Sequence, residues 1–336
     1  MGPVLEALHW YGMFPRFDPA RGECVREPLG QGPGWWAGAP SSLFDPDTGR
    51  IYLYYRYRKP RELGRGAECR IAVSSDGLHF DDVWTCDKSQ LDSPSVEKAA
   101  LCITPSGKRR LYISYVDPSD NRWRIDMMEA ASFEELDPAE RRPALTASDV
   151  GGEGVKDPFV MNIGGLYWML ASYAPSPDTP QSREAMHSTA DVYNTGLVKS
   201  STGYAISADG LEWEWQGDIF SPSEKGWDAY CARLGSVILE PPLFVGFYDG
   251  SASVEENYEE KAGLAVSFDL AKWHRLTPKG PFVTSPYSSH SIRYVDALKL
   301  PDQYFFYYEY ARPDGSHELR MNLVSYRDEE EAREDD

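Results

Sequence analysis

The chain has 336 residues, 13% of them aromatic, and a formal net charge of −19. That balance leaves no basic excess to neutralise a phosphate backbone, so nucleic acid is excluded as the main partner. No apolar run approaches membrane-spanning length, which excludes a helical membrane anchor. Cys24, Cys69, Cys86, Cys102 and Cys231 lie far apart, without CxxC or Cys/His ligand spacing. We therefore expect no metal, no cofactor and a reducing, cytoplasmic setting. The N-terminal "MGPVLEALHW" lacks the charged and long apolar regions of a signal peptide. Oligomeric state is not legible.

The predicted elements repeat. Apolar, aromatic-rich runs begin at Arg50, Arg109, Gly165, Pro241 and Gln303, spaced by 59, 56, 76 and 62 residues. Each is followed by a further strand-like run: "CRIAVSSDGLHF", "WRIDMMEAASF", "TGYAISADGLEW", "AGLAVSFDLAKW" and "LRMNLVSY". Three of these end in Ser-x-Asp and then an aromatic residue. Segments such as "VWTCDKS", "WEWQGDIFSP" and "GPFVTSP" are candidate outer strands. Five copies of a four-stranded antiparallel unit predict an all-β, five-bladed β-propeller, because radial repetition leaves few exposed edges. A single domain is expected over 1–326, followed by an acidic tail over 327–336. The last copy lacks a clear fourth strand, and "LHWYGMFPRF" is the predicted closing strand. The longest insertion, 174–200, is polar and rich in Pro and Ser, and is expected to be a long functional loop.

In such a ring the first strand of each blade lines the central channel. Those strands begin in "GAPSSLF", "VEKAALCI", "VKDPFVMN", "WDAYCARLG" and "SIRYVDAL". Four of them carry charge: Glu97 and Lys98; Lys156 and Asp157; Asp228 and Arg233; Arg293 and Asp296. Charge on an innermost strand is costly unless it is paired or solvated. Ion pairs that only plug the channel account for any one of them. Their convergence, with a long loop and abundant Trp and Tyr, points to a polar pocket.

"GAPSSLFDPDTGRIYLYYRYR…CRIAVSSDGLHF", "VKDPFVMNIGGLYWMLASY" and "PPLFVGFYDG…NYEEKAGLAVSFDLAKWHRLTPKGPFVTSP" resemble glycoside hydrolase family 130, the β-mannoside phosphorylases and mannosidases. The resemblance spans about residues 40 to 300. A wider clan of arabinanases, xylosidases and fructosidases shares the fold. The resemblance implies a five-bladed propeller acting on a small carbohydrate or glycoside, and it matches Arg56 to a family arginine. The departures are informative. Where the phosphorylases have Glu-Asp-Pro-Arg with a general-acid Asp, this chain has Glu97 and Lys98 followed by Ala-Ala. Asp249 replaces a family histidine, and Ala39–Pro40 occupies a plausible Asp-Pro place. Loss of those cationic and imidazole groups points away from phosphorolysis.

Glycoside hydrolysis needs two carboxyl groups, one protonated near the leaving oxygen and one ionised. The candidates are Asp157, Glu97, Asp228 and Asp249. The candidate substrate contacts are Arg56, Lys98, Lys156, Arg233, Tyr258, Arg293 and Glu309. His187 and Asp191 have i, i+4 spacing but no evident third ligand, so they are not expected to hold a metal. The alternative is a propeller that binds a carbohydrate, or another polar metabolite, without cleaving a glycosidic bond.

Overall fold

Short apolar runs broken by Gly- and Asp-containing turns favour antiparallel strands. The computed structural model describes residues 16–325 apart from residue 178. β1 (Glu23–Arg26) comes first. β2 (Trp36–Asp45), β3 (Arg50–Arg58), β4 (Gly66–Ser74) and β5 (Asp81–Asp87) form an antiparallel run. β6 (Val96–Ile103), β7 (Arg109–Val116), β8 (Trp123–Ala130) and β9 (Arg142–Leu145) form the next. β10 (Gly152–Ile163), β11 (Leu166–Pro175), β12 (Ser201–Ser207) and β13 (Glu214–Phe220) repeat the pattern. So do β14 (Cys231–Glu240), β15 (Leu243–Ser251), β16 (Lys261–Ser267) and the two-residue β17 (His274–Arg275). β18 (Ile292–Leu300), β19 (Gln303–Ala311) and β20 (His317–Ser325) follow, and β1 adds to β20 as the outer strand.

Three expectations are corrected. The outer strand beside β20 is Glu23–Arg26, not the segment 8–17; of that segment only Arg16 and Phe17 are described. Phe17 is a core residue, stacked 4.6 Å from Phe306. "GPFVTSP" is not the fourth strand of its unit: β17 pairs with β16 there, and Val283 makes only an isolated bridge to Ala262. Hydrogen bonding also crosses between runs. Single parallel contacts, Trp36 with His317 and Lys261 with Ile292, merge three runs into one twelve-stranded sheet. The other two runs remain separate four-stranded sheets. The tail expected over 327–336 lies outside the described residues.

β2, β6, β10, β14 and β18 lie side by side in a closed circuit. The hydrophobic core is divided accordingly, with one cluster between each pair of neighbouring runs. Tyr54, Ile71 and Trp84 meet Leu111, Ile113 and Met128, for example. Ala37, Leu53 and Tyr55 meet Phe305, Tyr307 and Leu319, which joins the last run to the first.

All five of these inner strands are irregular. Their ladders slip at Gly38/Ser41, Val96/Ala99, Lys156/Phe159, Leu234/Ser236 and Arg293/Asp296. Bulges of this kind bend a strand and re-aim its side chains. Ala39, Asp157 and Tyr294 take left-handed φ values of 51°, 55° and 52° there. Their N–H groups donate to Glu309, Ser114 and Asp249 of neighbouring runs. Lys156 and Asp157 sit at such a bulge within β10 rather than at its start, where the chain turns polar groups toward the ring axis.

The Ser-x-Asp signatures form one turn three times. Asp76, Asp209 and Asp269 each accept from two backbone N–H groups, and Ser74, Ser207 and Ser267 each accept from another. The turns also bind a neighbouring run: Tyr112 donates to the Gly210 carbonyl at 2.7 Å and Tyr307 to Gly77 at 2.8 Å. Asp209→Ala is expected to cost about 1–2 kcal/mol by chemical denaturation, from the lost turn hydrogen bonds. An unchanged midpoint would show that the turn does not hold the run in place.

Candidate active site

The bulges gather a charge cluster at one end of the axis. Arg233 is its hub. Its guanidinium meets Asp249 at 3.0 Å, Glu260 at 3.1 Å and Asp157 at 3.3 Å. Arg293 bridges Glu260 at 2.6 Å and Glu309 at 2.8 Å. Arg56 meets Glu97 at 2.7 Å and lies 3.9 Å from Glu309. Lys156 pairs with Asp157 at 3.2 Å and lies over the Trp123 and Tyr193 rings. Gly38 is required by close approach: a Cβ there would fall 1.9 Å from Glu309 Cγ. All of these charged side chains are buried.

The carboxyl groups are not equivalent. Burial, the largest effect, outweighs Arg233 and pushes Asp249 up to about 6. Burial also acts on Glu97, but Arg56, Lys156, Arg58 and Arg293 overcome it and hold that group at about 2. Glu260 is likewise held at about 2, where Arg233 and Arg293 outweigh burial. Asp157 differs in another way. Its oxygens are buried and accept no hydrogen bond among the described residues, and its Oδ2 is held in ion pairs by Lys156 at 3.2 Å and Arg233 at 3.3 Å.

The insertion 174–200 roofs the cluster. It contains α1 (Pro180–His187) and a tight turn at Val192–Asn194. Met186, Val192 and Tyr193 pack on Val116 and Trp123. Asp191 is the latch: Arg65 meets it at 2.8 Å, Arg61 at 3.1 Å, and the Tyr258 hydroxyl donates to it. His187 pairs instead with Glu153 at 2.7 Å, so the two residues of the i, i+4 pair go to different partners.

Asp157, Glu97, Asp249, Arg56, Lys156, Arg233, Arg293 and Glu309 are thus brought together, and Tyr258 stands beneath the roof. Asp228 is not among them. It precedes β14 and is held by Arg275 at 2.6 Å and Tyr248 at 3.3 Å, so its carboxylate is committed beside β17 rather than at the axis. Lys98 lies 4.0 Å from Asp296 and also feels the charges of Asp157, Asp249 and Arg233, so it borders the cluster. Beyond that pair an open cavity of about 360 Å³ occupies the opposite end of the axis. Leu101, Val160 and Leu239 line it, with Asp296 and Lys299 as its charged groups. It is open but largely apolar, and the converging charges lie at the other end.

Sequence reasoning missed Glu260, Arg58, Trp36 and His317, whose ring pairs with Glu259 at 2.9 Å and with Glu309 at 3.3 Å. Glu259 and Glu260 sit in "ENYEEKAG", which reads as a solvated acidic loop, yet Glu260 is 2% exposed. Arg58 had a signal: it alternates with Arg56 along β3, so both side chains share one face.

No protein-family model matches the chain, and no curated protein matches it. Solved structures do. A glycosyl hydrolase from Bacteroides ovatus aligns with TM-score 0.64 and 14% identity, covering 92% of this chain and 93% of that one. A structure described under "The GH130 family of mannoside phosphorylases contains glycoside hydrolases that target beta-1,2 mannosidic linkages in Candida mannan" aligns with TM-score 0.59 and 16% identity, covering 93% and 96%. A thermostable family-43 glycoside hydrolase aligns with TM-score 0.63 and 13% identity, covering 86% and 89%. The chain shares the all-β fold of these glycoside hydrolases, and at such identities the likeness is one of fold.

Arg233→Met removes one cation and leaves buried Asp249 without an ion-pair partner, while Asp157 and Glu260 keep Lys156 and Arg293. Breaking a buried pair in this way typically costs about 3–5 kcal/mol. Denaturant titration is expected to show a loss of that order; a loss below about 1 kcal/mol would mean that water already screens the cluster.

Proposed function

We propose that the protein is a five-bladed β-propeller glycosidase, folded as one domain, that hydrolyses a small glycoside or oligosaccharide at the roofed charge cluster. The observation that carries this reading is the pair of aspartates on one guanidinium. Asp157 and Asp249 both contact Arg233, which keeps them within the roughly 5–10 Å used by paired glycosidase carboxyls. Their environments differ, as the division into acid and base requires.

Asp249, pushed up to about 6, is the acid. Its proton passes to the glycosidic oxygen as the bond to the anomeric carbon breaks. Asp157, with no hydrogen bond occupying its oxygens, is the base. It takes a proton from the water whose oxygen joins the anomeric carbon. Arg56, Arg293 and Glu309 are placed to orient sugar hydroxyls, and Trp123 and Tyr193 supply aromatic faces. Water is favoured over phosphate as nucleophile because the charge of Arg233, Arg293 and Lys156 is already taken up by carboxylates. Substrate enters when the Asp191 latch opens. The five cysteines are all free and four are buried, which supports a reducing, cytoplasmic setting.

A second reading is binding without cleavage. It is favoured by Lys98 standing where the resembling phosphorylases carry their acid, and by the pairing of most cluster carboxylates with cations. Turnover separates the two. Asp157→Asn and Asp249→Asn are each expected to lower kcat on a cleaved glycoside by about 10²–10⁴-fold. Wild-type kcat/KM is expected to fall as pH rises through about 6, because Asp249 must hold its proton to act. Unchanged turnover in both variants would sink the hydrolytic reading, and ligand binding without product would favour the second.

A further inference from the structure

Arg58 differs from the other buried guanidiniums of the cluster. Arg56, Arg233 and Arg293 each meet carboxylates, at 2.7, 3.0 and 2.6 Å in their closest pairs. Arg58 is 2% exposed, forms no ion pair among the described residues, and its Nε and Nη1 have no acceptor there. Its guanidinium rests instead against the rings of Trp36 and Tyr258, at 4.3 and 4.0 Å. Trp36 is its partner across the β2–β3 ladder. The indole Nε1 of Trp36 and Nη1 of Arg56 are also buried donors without an acceptor.

Counting Nη2 of Arg56 as well, five donor groups of Trp36, Arg56 and Arg58 have no hydrogen-bond acceptor among the described residues, and no carboxylate there pairs with Arg58. Burial chiefly makes this cation harder to hold, Arg56 and Arg293 add repulsion, and Tyr258 and Glu97 offset it only in part. A buried charge without a counter-charge is expensive. Groups kept at such a cost concentrate at functional sites.

We propose that Arg58, with Arg56 and Trp36, forms an oxyanion subsite of the cluster, and that the ligand is a sugar bearing a carboxylate or a sulfate ester rather than a neutral sugar. This rests on the reading of the cluster as a sugar site and narrows its substrate class. The anion supplies the missing counter-charge and accepts charge-assisted hydrogen bonds. The Trp36 and Tyr258 rings hold the Arg58 guanidinium in place, Trp36 being stacked in turn on His317. Tyr258 also donates to the latch residue Asp191, so the subsite lies directly under the roof.

Calorimetric titration of the full chain tests this with matched ligands: methyl glucoside, galactoside and mannoside, the corresponding methyl uronides, and the 6-sulfated sugars. Inorganic phosphate is titrated alongside. At least one uronide or sulfated sugar is expected to bind roughly 10- to 100-fold tighter than its neutral partner, the usual range for losing a hydrogen bond to a charged group. The uronide and sulfate arms show which anion is recognised. Arg58→Met is expected to abolish the preference while leaving the neutral sugar's affinity, and Arg58→Lys to restore part of it.

Neutral sugars binding as tightly as their charged partners would overturn the subsite and leave the sugar reading standing. Binding of none of the sugars would overturn both. Inorganic phosphate binding alone, without any charged sugar, would also overturn the proposal. Melting of the unliganded variants supplies a check that does not depend on ligand choice. An unpaired buried cation costs stability, so Arg58→Met is expected to hold or raise Tm, whereas a purely structural Arg58 would make Tm fall.

Discussion

The arrangement of the charge cluster depends on one guanidinium. Arg233 rises from the bulged part of β14 and contacts carboxylates from three other places: Asp157 on β10, Asp249 on β15 and Glu260 just before β16. Three carboxylates cannot approach one another in a low-dielectric interior without a cation between them. Arg233 therefore fixes where the third and fourth runs meet at the axis. It also creates the inequality on which chemistry depends. Glu260 has a second cation in Arg293 and stays ionised, whereas Asp249 lacks one and is pushed up by burial.

The backbone makes this convergence possible. A regular strand sends alternate side chains to opposite faces of its sheet, which would leave few polar groups on the axis. Slippage in every inner strand breaks that alternation beside the charge cluster. The left-handed residues Ala39, Asp157 and Tyr294 carry a conformational cost, typically about 1–3 kcal/mol each. It is offset by the hydrogen bonds that their N–H groups make to neighbouring runs. Strain, bulges and buried charge thus coincide, and the Asp191 latch closes over them.

Much of the fold was legible because it repeats. The spacing of the aromatic runs and the Ser-x-Asp turns located most strands, since turn chemistry is local and reads directly from residue type. The charges that opened the inner strands were legible for a different reason: a charged residue in an apolar run is anomalous wherever it occurs. Asp228 carries that same signal but lies apart from the cluster. It falls before its strand begins, where Arg275 reaches it from an outer position that no local pattern reveals. Glu260 was hidden in an acidic loop, because only the three-dimensional path of that loop shows that it turns inward. The strand closing the last run was sought too early in the chain; "ECVR" is too short and too polar to stand out as a strand, and its pairing with β20 is set by tertiary contact. Hydrogen bonding between runs was likewise invisible, since single parallel contacts leave no periodic trace.

The most direct test of the central claim is the titration of the cluster carboxyl groups, followed by carbon-detected NMR of labelled protein. The account predicts that Asp249 titrates at about 6 while Glu97 and Glu260 titrate at about 2, in the same molecule. That spread would establish an acid and ionised carboxylates within one charge cluster. Three midpoints clustered near the ordinary carboxylate range of about 4 would contradict it, because the charges would then be screened by water and the cluster would hold no division between acid and base.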